Sequence, residues 1–142
     1  MPIINFGGLL NFAEAMEKQD MEFYLSIASN PEMSDLSDLF QGFAKDGKKN
    51  IAHIQRTRRE NITEMILEGI TGFFRKPFVL EVKDDKEMGR AQILKYVDKM
   101  EARAIAYYTE GAEKIKALPE VSMALKVAGK KRMAHTQKLS GS

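Results

Sequence analysis

The sequence contains no cysteine and no tryptophan, and only two of its 142 residues are histidine. The absence of cysteine excludes disulfides, thiolate zinc sites, iron–sulfur clusters and thiol nucleophiles. No apolar run approaches the roughly 20 residues that a membrane-spanning helix needs, and the N-terminal stretch lacks the basic start of a secretory signal. We therefore expect a cytoplasmic protein with no membrane partner.

The sequence also lacks an excess of charge of either sign. Its 22 Lys and Arg residues nearly balance 20 Asp and Glu residues, and they are spread along the chain. A nucleic-acid partner is therefore not expected. The length, with 44% hydrophobic and 30% charged residues, is ordinary for a single globular domain over residues 1–142.

Apolar residues recur at helical spacing in four segments of the chain. The predicted helices are residues 9–29, 34 or 37 to at least 59, 84 or 85 to about 118, and 120–139. Either Ser34 or Ser37 could cap the second helix. Residues 69–85 break the periodicity with Gly, Pro and clustered Phe, which predicts a long crossover. Two short connections and one long one predict an all-α four-helix bundle.

A short phrase occurs twice in the sequence. DGKKNIAH ends at His53 and AGKKRMAH ends at His135, 82 residues later, with identity at five of eight positions. A second repeat, at an offset of 84, aligns residues 16–24 with residues 100–108 and Glu17 with Glu101. We interpret each half as a helical hairpin, and two related hairpins pack most simply about a pseudo-twofold axis.

Polar residues of the repeat lie among apolar neighbours on the predicted inner faces. Residues three apart share a helix face, so six of these residues should point to one centre. They are Glu17, Asn50, His53, Glu101, Arg132 and His135. A buried, unpaired carboxylate costs several kcal/mol, so we expect something positive to meet each Glu.

This set of residues resembles the rubrerythrin branch of the ferritin-like superfamily. That family has a Glu on each of the first and third helices and Glu-x-x-His on each of the second and fourth, which together hold two irons. By this resemblance the candidate remnant ligands are Glu17, His53, Glu101 and His135. The resemblance implies a ferritin-like bundle and a homo-oligomer, with a dimer favoured.

Two ligand positions depart from the family's pattern. Asn50 and Arg132 stand where the family has Glu. Two carboxylates are thereby lost and one positive charge is gained, which strongly disfavours a standard di-iron site because iron of this kind binds through charge and oxygen ligands. Among the neighbouring carboxylates, Asp20 lies nearest to the face of Glu17 and could substitute.

Two arrangements of the centre remain open. In the first, Glu17, His53, Glu101 and His135 hold one metal, either iron or another divalent ion such as zinc. In the second, no metal is bound and the Arg132 guanidinium bridges the carboxylates, while His and Asn complete the hydrogen bonds. The metal-free arrangement is favoured because a buried Arg has little reason to lie beside a dication.

The resemblance leads to two hypotheses for function. The first is a ferritin-like bundle with a degenerate di-iron site that acts as a non-catalytic binding or assembly module. The alternative is a metal-binding oxidoreductase that reduces peroxide or oxidises ferrous iron, using Glu17, His53, Glu101 and His135. The family's full-length peroxide reductases add a rubredoxin domain with Cys-x-x-Cys pairs, which this chain lacks, so electrons would have to come from elsewhere.

Other residues of the two halves carry simpler predictions. Three tyrosines should be core aromatics whose hydroxyls reach the polar centre: Tyr24, Tyr107 and Tyr108. The paired lysines of the repeated phrase should face solvent. Its two glycines, Gly47 and Gly129, should mark a close approach of helices. The Phe-rich crossover should cover its own bundle.

Overall fold

A computed structural model describes residues 6–61 and 73–141 of the chain. This part contains four long helices: α1 Phe6–Ala28, α2 Ser37–Glu60, α3 Arg90–Lys114 and α4 Pro119–Ser140. Short 3-10 segments lie in the connections, at Pro31–Leu36, Lys76–Phe78 and Asp85–Glu87. Within these residues there is no β-strand, which confirms the all-α class with four long helices, an arrangement compatible with a bundle. None of the described helices is long and apolar enough to cross a membrane.

The helices pair as two hairpins. Helix α1 packs mainly against α2, and α3 packs mainly against α4. The hairpins meet through α2 and α4, and to a smaller extent through α1 and α3. Each hairpin is closed by a short connection, which favours antiparallel neighbours. The pairing agrees with the two hairpins predicted from the repeat.

The connection between α1 and α2 differs in detail from the prediction. Helix α1 stops before Asn30-Pro31 as expected, and the Asn30 side chain caps the following 3-10 segment. Ser37 is the first residue of α2 rather than its cap, and Leu36 at the cap position makes no side-chain capping bond. The Ser37 hydroxyl instead donates a hydrogen bond to the Ala28 carbonyl at 2.6 Å. The predicted serine cap is therefore wrong, because this serine ties the two helix ends together.

Helix α3 begins several residues later than predicted, at Arg90. Asp84 is a cap, as its position suggested, but it caps only the 3-10 turn Asp85–Glu87, and extended backbone separates that turn from α3. The turn is held by another element. The buried Asp85 carboxylate accepts a hydrogen bond from Asn30 Nδ2 at 2.9 Å, which fastens the crossover to the end of α1.

Two apolar clusters fill the bundle. One gathers the start of α1, the end of α3 and the first half of α4, with Leu9, Leu125 and Tyr107 among its fully buried members. The other gathers the end of α1 and the starts of α2 and α3, around Tyr24 and Phe40. Five of the six polar residues of the repeat lie between the two clusters along the helices, namely Glu17, Asn50, Glu101, Arg132 and His135. They therefore form a polar layer with apolar packing on both sides.

The described part of the crossover covers the side of the bundle formed by α1 and α3. Phe73 and Phe78 are buried, with ring centroids 5.4 and 5.1 Å from the Tyr107 ring. Gln19 of α1 donates a hydrogen bond to the Leu80 carbonyl at 2.9 Å. The predicted covering role of the crossover is confirmed for Phe73 and Phe78, whereas Phe74 is 53% exposed and does not cover the bundle. Its predicted beginning, and any extension of α2 past residue 61, fall in residues 62–72 and lie outside the described part.

Candidate functional site

The polar layer is centred on Arg132 of α4, which is 1% exposed and is among the largest fully buried residues in the described part of the chain. Its Nε donates to Glu101 Oε1 at 2.6 Å, its Nη1 to Glu17 Oε1 at 3.0 Å and its Nη2 to Asp20 Oδ2 at 2.6 Å. A planar guanidinium presents donors in several fixed directions, so it can meet three carboxylates at once. The expected positive partner of both Glu residues is therefore one arginine, with Asp20 as a third acceptor.

A second buried arginine, Arg103, forms an ion pair with Asp20. Arg103 of α3 donates from both terminal nitrogens to Asp20, at 3.1 and 2.9 Å. Such a two-bond pair fixes both position and orientation. The sequence interpretation missed Arg103, although a signal existed: it lies three residues after Met100 and four before Tyr107, on an apolar helix face.

Two tyrosines cross from one hairpin to the other. Tyr24 of α1 donates its hydroxyl proton to Glu101 of α3, and Tyr108 of α3 donates to Glu17 of α1. Burial, followed by the neighbouring carboxylate, raises the pKa of each tyrosine well above its usual value, so both hydroxyls stay protonated. The third predicted tyrosine, Tyr107, donates to the backbone of the first cluster and does not reach the polar layer.

His135 links the buried layer to the surface. Its Nδ1 lies 3.0 Å from Glu101 Oε2 and its Nε2 lies 2.9 Å from Asp46 Oδ2. Each ring nitrogen thus has a carboxylate oxygen within hydrogen-bond distance, and a carboxylate oxygen can accept a hydrogen bond from whichever nitrogen carries a proton. The Phe43 ring stacks on it, with centroids 3.9 Å apart. Asp46 is the outermost residue of the series Glu101–His135–Asp46, and its side chain is 30% exposed.

Glu101 lies beside Arg132, His135 and Tyr24. Burial alone would raise the pKa of this carboxyl, but the positive charges of Arg132 and His135 and the hydrogen bonds from His135 and Tyr24 outweigh it and lower the pKa. The charged form of Arg132 is favoured in the same way. Burial alone would lower its pKa, but the three acids hold the pKa well above the usual value. Both groups are therefore charged at neutral pH.

Asn50 occupies the position on α2 that corresponds to Arg132 on α4. It is fully buried, and its Nδ2 donates to Glu17 Oε2 at 3.2 Å. Both residues that depart from the family's pattern thus lie in the polar layer, as the helical spacing predicted. Each is bonded to the Glu of its own hairpin.

His53 is the predicted site residue that the structure does not bring to this layer. It is half-buried, and its Nδ1 lies 3.2 Å from Arg56 Nη2. Burial and then the charges of Arg56 and Lys131 lower the pKa of His53. The prediction that His53 faces the same centre as His135 is therefore wrong.

The residues around Arg132 do not fit the di-iron centre that the family resemblance implies. The guanidinium takes one oxygen from each of Glu17, Asp20 and Glu101, and buried donors take the second oxygens of both Glu residues. A dication among these oxygens would meet a fixed positive charge at hydrogen-bond distance. Within the described residues, no group of three or more His, Asp and Glu side chains is arranged to hold a metal ion.

Comparisons of this chain with protein-family models, with curated proteins and with solved structures found no match. The family resemblance therefore rests on the repeated residues.

Proposed function

We propose that this protein is a ferritin-like bundle of the rubrerythrin type in which an internal ion-pair network replaces the di-iron centre, and that it acts as a non-catalytic binding or assembly module. The observation that carries this proposal is the contact of all three Arg132 nitrogens with three different carboxylates. The repeated Glu and Tyr residues, bonded reciprocally across the two hairpins, support a common origin of the halves.

An arginine can take over the electrostatic task of a metal in such a bundle. Inward carboxylates repel one another and are costly to bury, so a scaffold that keeps them needs a cation between them. The Arg132 guanidinium supplies a permanent charge, and its hydrogen bonds point to oxygens on α1 and α3. The bundle can then keep Glu17 and Glu101 without binding a metal.

The same network is incompatible with the iron-dependent oxidation and peroxide reduction that the family resemblance implies. Iron oxidases of this type need carboxylate oxygens free for the metal and a path for oxygen or peroxide to reach it. Here Arg132, Tyr108 and Asn50 occupy the oxygens of Glu17, and Arg132, Tyr24 and His135 occupy those of Glu101. Both Glu residues are 1% exposed. We therefore expect neither peroxidase nor ferroxidase activity.

Metal content tests the proposal. The wild-type protein and the double variant Asn50→Glu, Arg132→Glu are grown with added iron, purified without chelator and analysed for metal. We expect no stoichiometric metal in the wild type and iron in the double variant, because it regains two carboxylates and loses the cation. The matched control is Asn50→Gln, Arg132→Gln, which also removes the cation but adds no ligand and should stay without metal.

Two results would overturn the proposal. Near-stoichiometric iron or manganese in the wild type, with peroxide reduction or ferrous iron oxidation, would identify the alternative, a metal-dependent oxidoreductase. A folded double variant that binds no iron would show that these positions are not former ligand positions. Sedimentation of the wild type measures the dimer that the resemblance implies, independently of metal.

A further inference from the structure

The outer side of α2 and α4, which we name the α2–α4 face, carries the part of the repeated phrase that the buried site does not use. Within that phrase the glycines point inward, and a Cβ on Gly47 or Gly129 would lie 3.3 or 3.2 Å from a side chain of the paired helix. The lysines that follow them point outward. Lys48, Lys49 and Lys130 are exposed, as predicted, whereas Lys131 is half-buried.

Among the described residues, the two helices that form this face carry an excess of positive charge, although one of their cations, Arg58, pairs with Glu14 of α1. Leaving out buried side chains, α2 and α4 together carry ten Lys or Arg and four Asp or Glu, a formal net charge of +6. Counted in the same way, α1 and α3 carry five of each, which gives zero. The near-neutral composition of the whole chain thus conceals a strong asymmetry between two sides of the bundle.

Apolar side chains lie between the cations on the same face. Met123, Val127 and Met133 of α4 are 57%, 39% and 49% exposed. Lys126 and Lys130 lie among them along the helix and are exposed as well. This helix therefore presents apolar residues inward to the core and a mixed basic and apolar stripe outward.

Residues of the two helices belong to one continuous surface. His53 and Arg56 of α2 line the same groove as Met123 and Val127 of α4. Lys131 of α4 is near enough to His53 of α2 to lower its pKa, together with Arg56 and after burial. The groove also holds Glu60 and Glu120, and Arg56 pairs with Glu60 at 3.7 Å, so its lining carries charges of both signs. The positive excess of the face comes from the exposed lysines of the two helices.

We propose that the α2–α4 face binds the surface of an anionic phospholipid membrane. Lysines place their charge at the headgroups while their aliphatic stems lie along the apolar boundary, and exposed Met and Val side chains enter that boundary. A phosphate backbone of nucleic acid would satisfy the charges but offers nothing to Met123, Val127 and Met133. Binding at a membrane surface needs no spanning helix, so this proposal departs from the expectation of no membrane partner without requiring a different fold.

Vesicle sedimentation tests this inference. The wild type is mixed with vesicles of phosphatidylcholine alone or of phosphatidylcholine with phosphatidylglycerol, at low and high salt. We expect partitioning onto the anionic vesicles that weakens with salt. The triple variant Lys49→Gln, Lys126→Gln, Lys130→Gln should lower the partition coefficient roughly 100-fold, since each lysine near an anionic surface contributes about fivefold.

A matched control uses the other side of the bundle. The variant Lys95→Gln, Lys99→Gln, Lys114→Gln removes the same charge from α3 and should bind nearly as well as the wild type. A third variant, Met123→Ser, Val127→Ser, Met133→Ser, should bind less tightly and keep the salt dependence. Circular dichroism verifies that each variant is folded.

Three outcomes would overturn the inference. These are equal binding to neutral and anionic vesicles, equal losses in the two lysine variants, or binding of duplex DNA in the same buffers with no binding to vesicles. The last would identify the face as a nucleic-acid surface. None of these readings depends on metal, so the inference and the proposed function can fail separately.

Discussion

In the first hairpin, Glu17 accepts hydrogen bonds from Asn50, Tyr108 and Arg132, and His53 lies outside the polar layer. In the second hairpin, Glu101 accepts hydrogen bonds from Arg132 and Tyr24 and lies 3.0 Å from Nδ1 of His135, which is inside the layer. The repeated phrase is the same in both hairpins, yet its histidine has opposite surroundings. The surroundings of a residue in a repeated motif are therefore set by the side chains packed against it more than by the motif itself.

The neighbours explain the difference between the two histidines. His135 finds a second carboxylate in Asp46 and a stacking ring in Phe43. At the repeat offset of 82, the corresponding positions around His53 are Ala128 and Leu125, which offer neither an acceptor nor a ring. His53 instead contacts Arg56 through Nδ1, and its buried Nε2 has no hydrogen-bond partner among the described residues, so its ring is less well satisfied than that of His135.

The effects of substitution on the free energy of unfolding should differ most between the equivalent positions Asn50 and Arg132. Arg132→Met leaves three buried carboxylates without their shared cation, and we expect a loss of about 3–5 kcal/mol in the free energy of unfolding. Asn50→Leu removes one donor from Glu17, which keeps two others, and should cost about 1–2 kcal/mol. Urea unfolding followed by circular dichroism measures both.

A rescue variant tests the cause of the Arg132 effect. Adding Glu17→Gln and Glu101→Gln to Arg132→Met removes two of the stranded charges and should restore part of the lost stability. Equal losses for Arg132→Met and Asn50→Leu would contradict the comparison, because the two positions would then be equivalent.

Acid should weaken the second hairpin through Glu101. Its pKa is lower in the folded protein than the ordinary value of 4.5. Below that value the unfolded chain binds the proton more readily, so stability is lost as the pH falls from about 4.5 toward the folded-state pKa. Glu101→Gln should flatten this part of a plot of unfolding free energy against pH.

Glu14 on α1 provides a comparison for the acid effect at the edge of the bundle, where its side chain is 14% exposed and its partners Lys18 and Arg58 are 53% and 30% exposed. A hydrogen bond from Lys18, with others from Gln55 and Arg58, lowers its pKa to about 2 in spite of burial. Salt screens charge pairs near the surface more than buried ones. High salt should therefore reduce the contribution of Glu14 and spare that of Glu101; an equal reduction of both would contradict the burial of the polar layer.

Substitution of the two histidines should change the free energy of unfolding by amounts that differ less. His135→Gln loses two charge-assisted hydrogen bonds and a ring stack, and we expect a cost of about 2–3 kcal/mol. His53→Gln changes a half-buried side chain and should stay within about 0.5 kcal/mol. Thermal or urea unfolding of both variants decides the matter, and a reversal of the order would place His53 at the centre after all.

The tyrosines should show the smallest difference, because here the hairpins are alike. Tyr24→Phe and Tyr108→Phe each remove a hydroxyl that donates to a buried Glu, and each should cost about 1–2 kcal/mol. The two losses should agree within about 0.5 kcal/mol. Urea unfolding measures them, and a clear inequality would show that the reciprocal bonds are not equivalent in energy.

Helical spacing predicted much of the polar layer from the sequence. It placed Glu17, Asn50, Glu101 and Arg132 on inner faces and identified Asp20 as the nearest extra acid. These assignments depend on periodicity within a single helix, which survives packing. The metal-free bridging geometry was one of two alternatives, and the contacts of Arg132 have the form of that alternative.

Residues whose partners lie far away in the chain were not predictable in this way. Arg103 pairs with Asp20 across 83 residues, and Asp46 pairs with His135 across 89. Spacing within one helix carries no information on which side chain of another helix will face it. The predicted start of α3 was wrong for a related reason, because a hydrogen bond from Asn30 holds the preceding turn against the end of α1.

The reciprocal tyrosine bonds have a consequence for folding. Each hairpin, taken by itself, would lack the hydroxyl that the other hairpin supplies to its glutamate and would expose its apolar inner face to water, and the first would also lack Arg132. Neither half can then reach a low free energy alone, so the bundle should unfold in a single cooperative transition. Fragments cut within the crossover should be largely unfolded apart and should regain helical structure when mixed.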